Sequence, residues 1–144
     1  MRTNEVIVHI TDWLTDYCTT NRQKGFVIGV SGGIDSAVTS ALCARTGLPT
    51  VCVEMPIHQV RSHVERALEH VAHLRKHHAN VSLERVDLTP TFEAMRVALP
   101  TDAPQAAVEL ALANTRARLR MTTLYHIAGL RGYLVAGTGN KVED

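Results

Sequence analysis

The sequence predicts an α/β domain: a doubly wound parallel sheet with helices on both faces. Three observations predict it. Short apolar runs, such as Phe26-Val27-Ile28 and Val51-Cys52-Val53, alternate with longer segments of helical spacing. The order reads β-α-β-α-β-α-α-β after a first helix, and strands separated by helices pair in parallel. Two glycine-rich segments, 29–36 and 137–143, follow the first and last apolar runs. In such sheets, ligands sit outside the carboxyl ends of the strands, where the strand order reverses. Were the first and last strands neighbours, both segments would converge on one crevice.

The elements follow in order. Residues 4–19 carry Val6, Ile10, Trp13, Leu14 and Tyr17 at helical spacing. The stretch from Asn21 to Gly25 breaks that helix, and the first strand covers Phe26 to Val30. A second helix runs from Ala37 towards Thr46-Gly47, with Gly47 suited to the left-handed position that closes a helix. The second strand, Thr50 to Met55, stops at Pro56, which has no N–H for the ladder. Residues 60–78 form a third helix on the stripe Val60, Val64, Ala67, Leu68, Val71 and Leu74. A third strand spans Val81 to Leu88. Thr89-Pro90-Thr91 starts a helix over Phe92 to Leu99. After the loop Pro100 to Pro104 comes a long helical stretch, Gln105 to Leu130, with a break placed near Ala113-Asn114. Tyr133 to Ala136 is the fourth strand.

Bulk properties narrow the function. The 144 residues suffice for one domain with a single core, and 45% are apolar. A net charge of +1 gives no sequence-independent hold on nucleic acid. The three cysteines, Cys18, Cys43 and Cys52, lack paired spacing and read as buried thiols in a reducing compartment. The chain carries no N-terminal apolar signal and no membrane-length run. The expectation is a soluble, cytoplasmic protein without a membrane or nucleic-acid partner.

The chemistry concentrates in Gly29-Val30-Ser31-Gly32-Gly33-Ile34-Asp35-Ser36. A strand entering a glycine turn that opens a helix aims backbone N–H groups and the positive helix end at one point. Ser31 and Ser36 add hydroxyls. A carboxylate among phosphate-seeking groups suits a cation, and Asp35 is accordingly the expected Mg²⁺ ligand. The plainer reading is a turn whose Asp or Ser only caps a helix. The Lys of the G-x-x-x-x-G-K-[ST] loop is missing, and the G-x-G-x-x-G pattern fails. On the third helix, His70, His73 and His77 share a face. They read as a solvated face rather than a metal set, because no carboxylate or Cys completes one. Further on, Arg116, Arg118 and Arg120 crowd five positions, with Arg116 and Arg120 on one face.

Ser31-Gly32-Gly33-Ile34-Asp35-Ser36 resembles the pyrophosphate loop of the N-type ATP pyrophosphatases. Together with Asn114–Met121, Gly137–Glu143 and Met55-Pro56, it resembles the NAD synthetase family, over essentially the whole chain. That resemblance implies a Rossmann-like fold of the adenine nucleotide α-hydrolase type. It implies adenylylation of the nicotinate carboxylate of deamido-NAD by ATP, release of pyrophosphate, and attack by ammonia to give NAD+ and AMP. By the same resemblance, Gly29, Val30, Ser31, Gly32, Gly33, Ile34, Asp35, Ser36 and Thr138 bind ATP. Arg118 and, less directly, Asn114 contact deamido-NAD. Asp35 and Glu143 hold Mg²⁺. No catalytic side chain is assigned. The family is a homodimer, and the helices bearing Arg118, Trp13 and Tyr17 are candidates for its interface.

The family continues past the equivalent of Asp144, so residues 1–144 are expected to form a synthetase domain incomplete at its carboxyl end. Without a glutaminase domain, free ammonia is the implied nitrogen source. The alternatives are another ATP pyrophosphatase, similar to GMP synthetase, and a truncated nucleotide-binding or dimerisation module without catalysis.

Overall fold

Alternation along the strands decides which residues meet which helices. The computed structural model describes residues 2–139. The elements are α1 (Thr3–Thr20), β1 (Phe26–Gly29), α2 (Ile34–Arg45), β2 (Thr50–Glu54), α3 (Arg61–His77), β3 (Val81–Arg85), α4 (Thr89–Ala98), α5 (Gln105–Arg131) and β4 (Leu134–Val135). The strands form one parallel sheet in the order β3-β2-β1-β4. The doubly wound class is therefore the observed one. The chain moves outward from β1 through β2 to β3, then returns to add β4 on the other side of β1. The order reverses between β1 and β4, so the first and last strands are neighbours.

Side chains two apart fall on one face of a strand. Phe26 and Ile28 of β1 pack with Cys18 and Cys43 beneath α1 and α2. Val30 and Cys52 meet Ala67, Val71 and Leu74 of α3. Val27, Val51 and Val53 point the other way, into a cluster with Phe92 of α4 and Ile127 and Ala128 of α5. Each such aliphatic side chain contributes roughly 1.5–3 kcal/mol on burial. Strands covered on both faces read as continuous apolar runs, and β1 and β2 do.

Three expectations change in detail. The helix from Gln105 is unbroken to Arg131: Ala113 and Asn114 lie within it, because Asn is merely a weak helix former. It closes on Gly132, whose φ of +69° gives the left-handed cap. The third strand ends at Arg85 rather than Leu88, although Val86 and Leu88 still donate their N–H groups to the carbonyls of Glu54 and Pro56. The histidine face of α3 is not wholly solvated. His70 is half-buried, and its Nε2 lies 2.8 Å from Ser40 Oγ on α2. Among the described residues no group of three or more His, Cys, Asp or Glu side chains could hold a metal, and no helix is long and apolar enough to cross a membrane.

Candidate nucleotide site

The loop after β1 turns at one position that accepts only glycine geometry. Gly32 has φ +81°, and a Cβ there would stand 2.5 Å from the carbonyl oxygen of His63 in the first turn of α3. The loop is tied internally by serines. Ser36 Oγ donates to the Gly33 carbonyl at 3.0 Å and lies 3.3 Å from Ser31 Oγ, which in turn accepts from Gly33 N–H at 3.3 Å. Gly33 is the residue before α2, and among the described residues no side-chain cap is made to that helix. The start of α2, with the positive helix end behind it, faces the loop in a geometry that suits an anion.

Asp35 stands exposed in the first turn of α2. Mg²⁺ in a nucleotide site takes one or two carboxylates and completes its shell with water and phosphate oxygens. One exposed carboxylate beside uncapped amides fits that requirement without a preformed cage. The second expected ligand, Glu143, lies outside the described residues.

A cleft of about 370 Å³ opens at the carboxyl ends of β1 and β2. Gly29, Val30 and Ser31 form its β1 side, and Thr138, after β4, closes it from the other direction. These expected nucleotide residues thus meet, at the reversal of strand order. Gly32, Gly33 and Ser36 line an adjoining recess with Arg66 and His70. Ile34 is exposed.

The cleft also contains residues that sequence reasoning left aside. Arg120 of α5 donates from Nε to the Met55 carbonyl at 3.1 Å and from a terminal nitrogen to Gln59 Oε1 at 3.1 Å. Burial, reinforced by the nearby Arg116 charge, lowers its pKa from the ordinary guanidinium value. Arg116 itself lies over the Phe92 ring at 5.2 Å and does not line the cleft. The sequence placed these two arginines on one helix face; which of them meets the end of β2 depends on how α5 crosses the sheet. The remaining surprise is Glu54, a buried carboxylate at the cleft wall.

Arg118 and Asn114, the expected contacts for the acid substrate, are exposed on α5 and line neither this cleft nor its recess. A second groove of about 630 Å³ runs beside β4, lined by Trp13, Tyr17, Tyr125, Tyr133 and Gly137 among others. Trp13 stacks on Tyr17 there, ring centroids 5.3 Å apart.

With this geometry in view, likeness to known proteins is decisive. The model of the NAD synthase family matches residues 6–144. The chain belongs to that family. An NH3-dependent NAD+ synthetase of Carboxydothermus hydrogenoformans is 34% identical over 99% of this chain and 58% of its own length. One from Mycoplasma pneumoniae is 38% identical over 91% of this chain and 50% of its own. The structure of an NMN synthetase from Francisella tularensis superimposes with a TM-score of 0.87 at 32% identity, covering 99% of this chain and 57% of that one. The chain thus spans about half the length of these relatives, and the family model's match takes in both glycine-rich segments.

Proposed function

We propose that the protein bearing this chain is an ATP-dependent ligase that converts deamido-NAD to NAD+ with ammonia, through an acyl-adenylate, releasing AMP and pyrophosphate. One observation carries the reading: the uncapped glycine loop after β1 and Thr138 after β4 open into one cleft at the switch point of the sheet. A carboxylate is a poor acyl donor until AMP becomes its leaving group. The first step therefore needs an enzyme that grips ATP by its phosphates and holds the α-phosphorus open to attack.

The residues divide that work. N–H groups at the start of α2 and the hydroxyls of Ser31 and Ser36 would stabilise charge on the departing pyrophosphate. Arg120, fixed by Met55 and Gln59, holds the opposite wall. When bound, Mg²⁺ neutralises phosphate charge, and Asp35 would hold it, with Glu143 as the second ligand. Arg118 and Asn114 are offered as contacts for the acid substrate on the outer face of α5. The exposed aromatic groove with Trp13 and Tyr17 is the companion surface, suited to a flat ring or to a second subunit of a homodimer. The synthetase domain is taken as residues 1–144 plus whatever the family carries beyond them, and its setting as the cytoplasm.

A second acid is favoured by one observation, the likeness to an NMN synthetase: nicotinate mononucleotide, which undergoes the same chemistry at the same carboxylate. The test is release of pyrophosphate and AMP from ATP, Mg²⁺ and ammonium with each acid offered separately. Amide formed from deamido-NAD supports the first reading, and amide formed only from the mononucleotide replaces it. ATP binding without turnover of either acid would leave a nucleotide-binding module, while turnover with xanthosine monophosphate alone would assign the chain to the GMP-synthetase type.

A further inference from the structure

We propose that Glu54 reads the ribose of the bound nucleotide, so that the cleft selects a ribonucleoside triphosphate over its deoxy counterparts. The inference rests on the reading of the cleft as the ATP site. Glu54 is the last residue of β2 and is only 3% exposed. A carboxylate at that depth must be held by donors. Arg85, its register partner on β3, supplies one, donating from Nε to Oε2 at 3.0 Å. A carboxylate bound through one oxygen keeps acceptor capacity on the other. Glu54 also lines the cleft, with Gly29, Val30 and Ser31.

Its position relative to the phosphate loop suits a sugar. Gly29 pairs with Val53, and Val30 N–H donates to the Val53 carbonyl at 2.9 Å. Glu54 therefore stands level with the first residue of the loop, one strand away, about 4.8 Å in a parallel sheet. A nucleotide with its phosphates on residues 31–36 extends its sugar over the end of that neighbouring strand. Between base and phosphates, the only donors ATP offers are the 2′- and 3′-hydroxyls. A carboxylate facing a polyanion is unfavourable unless it meets such a donor and its charge is countered. Arg85 provides the counter-charge. Related chemistry is found in dinucleotide-binding sheets, where an acid about twenty residues past the glycine loop binds a ribose hydroxyl.

The alternative is that Glu54 and Arg85 only clamp β2 to β3. The two roles separate by the ratio of affinities for ATP, 2′-deoxy-ATP and 3′-deoxy-ATP, measured by calorimetry with Mg²⁺ on the purified protein and on Glu54→Gln. The expected result is a loss of about tenfold or more for at least one deoxy analogue in the native protein, falling to within about threefold in Glu54→Gln. A clamp would move stability but not the ratio. Equal binding of all three nucleotides to the native protein overturns the proposal without needing any variant to fold. A ratio that persists unchanged in Glu54→Gln overturns it too, since another group then reads the sugar. No binding of ATP itself would instead defeat the reading of the cleft, and the ribose assignment with it.

Discussion

The backbone of Gly32 faces the carbonyl oxygen of His63 so closely that a Cβ on the glycine would come within 2.5 Å of it. The glycine loop is thus seated against the first turn of α3, and its shape depends on a helix that begins some thirty residues later.

Gly32→Ala should therefore damage the loop twice, through the strain of an alanine at φ +81° and through the clash with backbone that cannot swing aside. The expected cost is about 1–3 kcal/mol. Thermal unfolding would show a lowered midpoint, and ATP affinity would fall further than stability alone explains. Gly47→Ala is the control: its φ is +76°, but nothing lies within 4 Å of a Cβ there. That variant should lose stability alone and keep its affinity for ATP.

Arg120→Met should weaken the cleft while preserving most packing of α5. The change removes the donor to the buried Met55 carbonyl and the contact to Gln59. Leaving a buried carbonyl without its partner costs about 1–3 kcal/mol. Denaturant unfolding and nucleotide titration on the same samples would register both effects. Arg116→Met should cost less, about 0.5–1 kcal/mol for its stacking on Phe92, and should leave nucleotide affinity in place.

How far the sequence disclosed the fold is clearest at these two arginines. Helical spacing put Arg116 and Arg120 on one face, and the structure keeps them there. Spacing carries no information on where α5 crosses the sheet, so the contact of Arg120 with Met55 could not be read. The glycine loop was legible, because a strand, two glycines and a helix impose their own geometry. Strand order was not, since it is settled by packing between distant segments. The supposed break at Asn114 weighed local propensity too heavily: α5 continues because Leu112, Leu119, Leu124 and Ile127 pack it against the sheet. His70 was read as solvated because its partner, Ser40, lies on another helix.

That contact also predicts a pH dependence. Burial, followed by the charge of His73, lowers the His70 pKa from 6.5. Folding then favours the neutral ring. Its contribution is present above the unfolded value of about 6.5 and is lost as pH falls through the lower folded value. Stability to denaturant should decline from pH 7 towards pH 5. His70→Gln should flatten that decline, and an unchanged slope would remove His70 as its source.

The three cysteines should behave as buried apolar groups. Burial pushes the Cys43 thiol up to about 12 and Cys52 to about 11, and raises Cys18 as well. None is a thiolate at neutral pH, so aromatic disulfide reagents should leave all three untouched at pH 8 and label them on denaturation. Labelling of the native protein at a rate typical of free thiols would contradict the packing described for them.

The pairing of β1 with β4 carries a consequence for how the protein reaches its working shape. Phe26 aligns with Leu134, and everything from α2 to α5 is made between them. The three strands β1, β2 and β3 can assemble from the first part of the chain as it is synthesised, and the glycine loop with them. Thr138, beside the α5 wall of the cleft, comes into place only when β4 docks. Closing so long a loop is slow. A nucleotide that binds only once β1 and β4 are paired would draw newly made chains through that pairing by mass action.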